Sequence, residues 1–515
     1  MLSFTILTIS VVLGLMAYLY LKRRRSGLPL PPGPKKYPLI GNLLNMPRSL
    51  EWVTFHKWSQ QFDSDIIHLT VAGISIVVID TAETAMELLE RRSSVYSSRP
   101  RMPMLNELCG YNFNFGLMPY GDRWREHRKL FHQSFSPTAS KLFRPKILKA
   151  THGLLRRILD DQPDVDLCAH LLHMSGETII SITYGLDILP KDDPCFAVAE
   201  EGKTPVIAAG VPGAFLVDSF PILMHMPDWM PFASFKHKAK EWKVVAHNLV
   251  EVPFEAAMRK IETSDSGPSF VSRSLENVAA SQDPQHFETI IKATAGSSYN
   301  AGVDSTISCI ASCILALLAN PSVLKKAQQE IDTVVGTDQL PDFDDLDSLP
   351  YVTAVVKESL RWKAVAPLGI PHLLEVEDEY KGYIIPAGSV VIANVWAMLH
   401  DENVYQDPFI FNPERFMKDG KLNPDIRDPD YAAFGFGRRI CPGQSTAQDA
   451  IWIAIVLMIA TFDITKLIDG NGEVIEPTYE YLTGLLCRPA PFRCSLNPRS
   501  TEAENLIRAT GSNYI

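Results

Sequence analysis

The sequence lacks the signatures of several common functional classes. It has no G-x-G-x-x-G segment opening a helix and no G-x-x-x-x-G-K-[ST] segment, which argues against a nucleotide-binding fold. Its formal net charge of −10 leaves no basic surplus, so nucleic acid is not expected as a main partner. It also has no N-x-[ST] sequon with a permitted middle residue, which favours a cytosolic position for the main part of the chain.

Cysteine is scarce and follows no pattern. The eight cysteines among 515 residues form neither a C-x-x-C pair nor a dense framework, so most are interpreted as small buried residues. With 46% hydrophobic and 21% charged residues, the composition is that of a globular protein with a large core. The length alone would suggest two or three domains.

The N-terminus has the pattern of a membrane span. Residues 2–21 are twenty residues without a charge, enough to cross a bilayer as a helix, and residues 22–25 are all Lys or Arg. Because positive charge stays in the cytosol, we expect a transmembrane anchor over 1–21 with its N-terminus in the lumen. The alternative is a cleaved signal peptide, whose charges would precede the apolar run. Residues 22–34 are then a basic stop-transfer segment and a proline-rich hinge that holds a domain close to the membrane.

The rest of the chain is predicted to be mainly α-helical with a small β part. Apolar periodicity and flanking prolines indicate helices over 82–92, 124–135, 286–320, 351–363 and 445–462. The third of these would run about 50 Å through the middle of a domain. Two hairpins are expected from β-rich runs, one pairing 66–71 with 75–80 and one pairing 383–385 with 389–393.

The strongest chemical signal is the segment 434–443, FGFGRRICPG, just before the last predicted helix. Gly437 and Gly443 permit tight turns and the close approach of a flat ligand. Backbone N–H groups at the helix N-terminus should stabilise a thiolate at Cys441 and lower its pKa. Two arginines in the segment can pair with carboxylates on a cofactor. We interpret the segment as a pocket for an anionic sulfur ligand, against the alternative of a structural cysteine in a glycine turn.

This segment resembles the signature of the cytochrome P450 family, F-x-x-G-x-R-x-C-x-G, at every fixed position. The matching residues are Phe434, Gly437, Arg439, Cys441 and Gly443. The resemblance implies haem b as the cofactor, with the Cys441 thiolate as the axial ligand of the iron. Because it covers nearly the whole chain, it also implies the family's mostly helical fold, as one catalytic domain over 35–497 followed by a polar C-terminal tail over 498–515.

A second motif, Ala301-Gly-Val-Asp-Ser-Thr306, lies inside the predicted 286–320 helix. Taken alone, it is explained by an ordinary amphipathic helix. In the family, the matching acid and alcohol deliver protons to dioxygen, which implies Asp304 and Ser305 as catalytic residues. Ser305 stands where threonine is usual and Thr306 follows it, so the sequence leaves open which hydroxyl works. Thr306 should lie about 100° further round the helix.

The resemblance extends to residues scattered along the chain. Those implied as partners of the haem propionates are Arg99, Trp124, Arg128, His372 and Arg439. Those implied as a structural network behind the haem are Glu358, Arg361 and Arg415. Taken singly, each propionate partner would more often be a surface residue, and an i, i+3 acid–base pair would be a surface salt bridge.

The resemblance implies a monooxygenase that inserts one oxygen atom of O2 into an apolar small molecule. Because no nucleotide fold is expected, electrons must come from another protein, an NADPH–cytochrome P450 reductase, with cytochrome b5 as a further candidate. The anchor places the protein in the endoplasmic reticulum membrane as a single-pass protein with a cytosolic catalytic domain. The stretches 366–372 and 227–231 look most like fungal secondary-metabolism enzymes of the O-methylsterigmatocystin oxidoreductase type.

Three alternatives stand beside this reading. A haem-thiolate isomerase, dehydratase or peroxygenase would need no reductase, but it would also have no use for the Asp304–Ser305 pair. A non-catalytic, membrane-anchored haem or lipid carrier would need neither that pair nor a complete set of ligand and propionate motifs. His170 and His173 have a spacing that could bind zinc, but no third ligand is evident, and two histidines on a helix are usually structural.

Overall fold

The computed structural model describes residues 27–511 except 163–164, 211–212, 264–266, 277 and 279–281. The predicted anchor over 1–21 and the basic residues 22–25 lie outside the described residues. As the sequence predicts, the described chain is mainly helical with a small β part. The helices of eight or more residues are α1 Glu51–Gln61, α2 Asp122–Phe135, α3 Arg144–Asp160, α4 Leu167–Tyr184, α5 Pro194–Glu201, α6 Ser234–Glu262, α7 Pro284–Ala319, α8 Pro321–Val334, α9 Pro350–Trp362, α10 Gln444–Thr461 and α11 Thr501–Ala509.

Short helical turns and short strands connect these helices. Single-turn α-helices lie at Ala82–Ala85, Ser93–Tyr96, Thr204–Ala209, Leu216–Ser219, Phe270–Leu275, Val395–Leu399 and Asp430–Ala433, and π-helical turns at Met86–Arg91 and Pro103–Leu108. The strands are β1 Ile66–Val71, β2 Ile74–Ile79, β3 His372–Leu373, β4 Asp378–Tyr380, β5 Tyr383–Ile385, β6 Val390–Ala393, β7 Met417–Lys418, β8 Lys421–Leu422, β9 Phe462–Thr465, β10 Leu467–Ile468, β11 Val474–Ile475, β12 Tyr481–Leu482, β13 Arg488–Pro489 and β14 Ser495–Pro498.

The main sheet has four strands in the order β1-β2-β6-β3. Its first two strands form the hairpin predicted over 66–80, with a register that runs from Ile66 opposite Ile79 to Val71 opposite Ile74. The turn Ala72-Gly73 has positive φ at both residues, 47° and 86°. This is the conformation that a two-residue hairpin loop needs, since its twist then matches that of the strands.

The second predicted hairpin is wrong. Strand β5 pairs with β4, through a turn at Lys381-Gly382, and not with the run that follows Pro386-Ala387-Gly388. That run, β6, pairs in parallel with β2 and antiparallel with β3. The β-rich sequence predicts a strand here correctly, but its parallel partner β2 lies some three hundred residues earlier in the chain, where no turn signal can point to it.

Helix α7 passes through the centre of the molecule, close to the predicted 286–320. Within the described part of the chain, it is the one helix long and apolar enough to span a bilayer, but 78% of its most apolar window is buried in the protein. It therefore serves as a core helix. It packs against α2, α4, α9 and α10, and α10 is apolar and buried from Ala450 to Ile459.

The two ends of the described chain pack against the domain. In the proline-rich hinge, the carbonyl of Pro29 accepts a hydrogen bond from Ile384 N and that of Pro32 accepts one from His68 N. The hinge therefore lies along the surface of the domain and does not extend away from it as a spacer to the membrane. Within the segment expected as a polar tail, α11 is capped by Ser500, whose Oγ accepts a hydrogen bond from Ala503 N, and Ile507 of this helix is completely buried.

Candidate active site

Cys441 lies on the loop between the turn Asp430–Ala433 and α10, and its N–H donates to Phe434 O at 2.8 Å. Gly437 in this loop has φ +55°, and a Cβ there would stand 2.2 Å from the carbonyl oxygen of Leu89. Gly437 is thus required for packing against the π-helical turn Met86–Arg91, which replaces the second half of the helix predicted over 82–92. A Cβ on Gly443 would meet nothing within 4 Å, so the chain's own packing does not require that glycine.

Cys441 is partly accessible as a residue, whereas its thiol lies deep in the protein. Burial raises its pKa, while the N–H of Gly443 and the charge of Arg128 oppose that shift. The expectation that the pKa of Cys441 is lowered is therefore wrong for the protein without a cofactor. Desolvation of the thiolate outweighs the stabilisation that the N–H groups at the helix N-terminus provide. A cation bound at the sulfur would reverse the balance, since a coordinating thiol is deprotonated outright.

Four cationic or ionisable side chains predicted to hold propionates gather near this loop. Arg99 donates to the carbonyls of Gly116, Ile370 and Pro371, at 2.7–3.0 Å. His372 Nδ1 lies 2.7 Å from Tyr96 O. The pKa of Arg99 and that of His372 are both well below their usual values, because both groups are buried and lie near other cations.

Arg439 completes this cluster from the cysteine loop. It donates to the carbonyls of Ser97, Phe115 and Met118, and its guanidinium lies 4.4 Å from the ring centroid of Trp124. Burial and the charge of Arg128 lower its pKa to about 9. Arg128 itself forms no hydrogen bond or ion pair within the described residues, and burial lowers its pKa.

The cluster has no paired carboxylate within the described residues. In the part of the chain that the structure describes, no Asp or Glu forms an ion pair with Arg99, Arg128, His372 or Arg439. Buried cations that repel one another are costly unless an anion compensates them. A thiol beside such a cluster fits a flat cofactor that carries an iron ion and two carboxylates, and haem is such a group.

The second predicted motif lies in the middle of α7. Ser305 Oγ donates to Ala301 O at 3.0 Å, and Thr306 Oγ1 donates to Gly302 O at 2.9 Å. Thr306 is buried, whereas Ser305 is partly accessible and Ala301 is exposed although the helix is central. The two hydroxyls thus have different surroundings, and that of Ser305 faces the more open side.

Asp304 has a partner that the sequence did not reveal. Its Oδ1 accepts from Lys203 Nζ at 2.9 Å, and the same ammonium lies 2.8 Å from Glu200 Oε2. Tyr299 Oη donates to the other Glu200 oxygen at 3.2 Å. Lys203 is only 7% exposed, so this is a buried ion pair that extends towards the surface through Glu200. Lys203 and Asp304 are 101 residues apart, and no spacing signal connects them.

The structure also brings together the three residues predicted to form a network. Glu358 and Arg361 on α9 are fully buried and joined by two hydrogen bonds of 2.7 and 2.8 Å. Arg415 Nε lies 3.2 Å from Glu358 Oε1, which also accepts from the backbone N–H of Asn412. This network holds α9 to the segment around 410–415.

The histidine pair on α4 does not gather metal ligands. His170 Nε2 lies 3.1 Å from Asp161, and His173 Nε2 lies 3.3 Å from Leu189 O. Across the described residues, no group of three or more His, Cys, Asp or Glu side chains is arranged to hold a metal ion.

Known proteins are similar to this chain over nearly its whole length. The family model described as Cytochrome P450 matches residues 31–495. The chain is 45% identical to Cytochrome P450 monooxygenase 98 of Postia placenta, over 96% of both chains. It is 41% identical to Cytochrome P450 monooxygenase ple1 of Rhodocybe pseudopiperita, over 98% of this chain and 96% of the relative. It is 40% identical to Tryptamine 4-monooxygenase of Psilocybe cyanescens, over 96% of this chain and 98% of the relative.

Proposed function

The chain belongs to the cytochrome P450 family, and on that premise we propose that it inserts one oxygen atom into an apolar small molecule of fungal secondary metabolism. Its enzyme class is monooxygenase and its cofactor is haem held through a cysteine thiolate. The observation that carries the assignment to this site is the cluster of buried cations without carboxylate partners beside Cys441. When bound, haem supplies the activation of O2, and a thiolate ligand favours cleavage of the O–O bond.

We assign the protein groups as follows. Cys441 would hold the haem iron through its sulfur, and Arg99, Arg128, His372 and Arg439 would hold the propionates. Trp124 holds the Arg439 guanidinium against its ring, and Phe434 and the glycines shape the cysteine loop. Bidentate donation from guanidinium to carboxylate suits these arginines.

Proton delivery is assigned to α7. A hydroxyl within reach of the reacting oxygen and an acid that renews its proton are both needed for controlled delivery. Ser305 offers its hydroxyl on the accessible side of the helix. Asp304 is held by Lys203, and that ion pair leads to the less buried Glu200. We infer that protons enter along Glu200, Lys203 and Asp304 and reach Ser305 through water.

The electron donor is proposed to be a separate NADPH-dependent reductase that docks beside α2. Arg123, Arg125 and Lys129 are exposed on this helix, whose buried side carries Trp124 towards the cysteine loop. Arg125 is paired with Asp122, whereas Arg123 and Lys129 have no partner among the described residues. An acidic partner surface would be attracted to this side of the molecule, at a short distance from the iron ligand.

Reconstitution with a fungal NADPH–cytochrome P450 reductase tests the function. With a panel of apolar small molecules that includes tryptamine, the true substrate should accelerate NADPH oxidation and gain one atom from isotopically labelled O2. Product that forms without NADPH and without label would instead indicate an isomerase, dehydratase or peroxygenase.

The same assay tests the relay through three variants. Ser305→Ala should keep haem and substrate binding but divert NADPH to peroxide, since the delivered proton no longer has a route. Asp304→Asn should slow turnover about tenfold to a hundredfold, at the low end of general-acid contributions. Thr306→Ala is the matched control, because its hydroxyl is buried against Gly302. Stronger uncoupling in Thr306→Ala than in Ser305→Ala would reverse the assignment of the hydroxyl.

The location is proposed to be the endoplasmic reticulum membrane, through an anchor over 1–21. A second membrane contact is supported by the segment 216–232, where Leu216, Ile222, Trp229 and Phe232 are 74%, 74%, 82% and 91% exposed. Such a concentration of large apolar side chains at the surface marks an interaction site, and aromatic residues suit the headgroup region of a bilayer.

Deletion of residues 1–26 should convert the protein from integral to peripheral. Carbonate should then extract it from membranes, while part of it still sediments with them at neutral pH through the 216–232 segment. Adding Trp229→Asp and Phe232→Asp should release that remainder. Leu142→Asp, at a distant residue that is 59% exposed, is the control and should not. Carbonate resistance that survives the deletion would mean that another segment spans the membrane.

A further inference from the structure

A cavity of about 330 Å³ lies between α9, α10 and the segment that joins α2 to α3. Its volume is at the lower end of what small-molecule sites have. None of its lining residues belongs to α7, to the cation cluster or to the segment 434–443. A ligand can therefore occupy this cavity without occupying the site described above.

Most of the side chains that line the cavity walls are apolar. They come from α9, from α10 and from two connecting segments, and they include Pro137, Leu346, Val356, Leu360 and Trp452. The indole of Trp452 is held in place, because its Nε1 donates to Thr353 Oγ1 at 3.1 Å. Walls of this kind suit the apolar part of a small molecule, whose burial is favourable.

The charged groups at the cavity are not balanced. Arg144 donates to both carboxylate oxygens of Asp449, at 2.9 and 3.1 Å. Lys357 pairs with Asp428. Once these two pairs have formed, the carboxylate of Asp430 lines the cavity without an ionic partner among the described residues.

Asp430 is also incompletely hydrogen-bonded. Its Oδ2 accepts from Gln448 Nε2, whereas its Oδ1 is buried and has no hydrogen-bond partner within the described residues. Burial and the charge of Asp428 raise the pKa of Asp430 to about 6, although the charge of Lys357 opposes the shift. At pH 7 the group is thus mostly an ionised carboxylate in a buried place, which is costly unless a cation joins it.

We propose that this cavity is a second ligand site that binds small organic ammonium ions, with the ammonium beside Asp430 and the apolar body against Trp452 and Leu360. An ammonium ion supplies both the donor and the positive charge that the carboxylate lacks, and a charge-assisted hydrogen bond is a strong one. A neutral ligand lacks the charge, and an anion is repelled. The inference is independent of the proposed function, because the site contains no residue assigned to haem, protons or electrons.

The test is calorimetric titration of the full-length holoprotein with phenethylamine, after clotrimazole has filled the space at the iron. The wild type should bind one phenethylamine per chain. It should bind 2-phenylethanol, which has the same ring and chain but no charge, at least about tenfold more weakly, since a hydrogen bond between charged groups contributes that much. Asp430→Asn should weaken the binding of phenethylamine by a similar factor.

Two further variants separate the site from general effects. Asp425→Asn is the matched control, because Asp425 is an exposed carboxylate that pairs with Lys418, and its loss should leave the affinity for phenethylamine unchanged. Val356→Phe should fill the cavity without changing a charge, and it should weaken binding as Asp430→Asn does. Absence of saturable binding in the wild type, or wild-type affinity in Asp430→Asn or Val356→Phe, would overturn the proposal.

The pH dependence gives a second measurement. An alkylamine stays protonated between pH 5 and about 8, so the affinity should be full above the pKa of Asp430 and fall as the pH is lowered through about 6. The other charged groups at the cavity are Arg144, Lys357, Asp428 and Asp449, which are paired with one another. The fall should be absent in Asp430→Asn, and the same fall in that variant would contradict the assignment of the ammonium to Asp430.

Discussion

Arg361→Ala should yield little folded protein, and what folds should bind little haem. The guanidinium of Arg361 and the carboxylate of Glu358 are both completely buried and share two short hydrogen bonds. Removing one partner leaves the other charge buried and uncompensated, which costs about 3–5 kcal/mol. That is a large part of the total stability of a domain, about 5–15 kcal/mol.

In Arg361→Ala, Arg415 would still offset part of the negative charge of Glu358, but it could not replace the hydrogen bonds that Arg361 makes. Its Nε remains 3.2 Å from Glu358 Oε1 and its Nη2 remains a donor to Ile410 O, but the backbone carbonyl of Leu399, which accepts from Arg361, loses that donor. The contact between α9 and these loops, which support the segment leading to Cys441, should therefore loosen.

The measurement is the midpoint of urea unfolding together with haem per protein. Arg91→Ala is the matched control, because Arg91 forms an i, i+4 ion pair with Glu87 but is 75% exposed. Such surface pairs contribute about 0–1 kcal/mol, so the midpoint should hardly move. If Arg361→Ala had the midpoint and haem content of the wild type, the buried network would not have the structural role assigned to it.

Most of the local structure could be predicted from the sequence, because its signals are local. Helix α7 extends over Pro284–Ala319 against a predicted 286–320, since Pro284 and the Asn320-Pro321 boundary limit it on both sides. The hairpin of β1 and β2 could be predicted equally well from the sequence, because its turn and both strands lie within fifteen residues. In each case the physical cause of the element lies inside the element itself.

The errors lie where a residue's partner is distant in the chain. Strand β6 has the right composition, but its pairing with β2 depends on the whole fold. Nothing in the sequence distinguishes Lys203 from an ordinary surface lysine, and only the fold shows that it pairs with Asp304. Asp218 likewise has no motif, and only the fold shows that it accepts a hydrogen bond from the Met104 N–H.

The electrostatics of the cysteine loop could not be predicted for a different reason. The helix N-terminus and nearby arginines that favour a thiolate are visible in the sequence, but the extent of burial is not. In the structure, burial dominates and raises the pKa of Cys441. The protein therefore provides the position of the sulfur and nearby positive charge, and a metal cation held at the sulfur would supply the rest of the stabilisation of a thiolate.

The central claim is that Cys441 is the axial ligand of a haem. Among eight free cysteines in the described residues, it is the one on a glycine-rich loop beside buried cations without carboxylate partners. A thiolate ligand donates electron density to the iron and sets the spectrum of the reduced carbon monoxide complex. Replacing it should therefore remove that spectrum completely, even if some haem remains in the pocket.

The most direct test is the carbon monoxide difference spectrum of reduced wild type, Cys441→Ala and Cys487→Ala. Cys487 is the control because it is a buried free cysteine outside the 434–443 segment, and burial raises its thiol pKa to about 11. We predict that wild type and Cys487→Ala show the red-shifted absorption band of a thiolate-ligated haem with carbon monoxide, and that Cys441→Ala lacks this band. A band that persists in Cys441→Ala, or disappears in folded Cys487→Ala, would contradict the assignment.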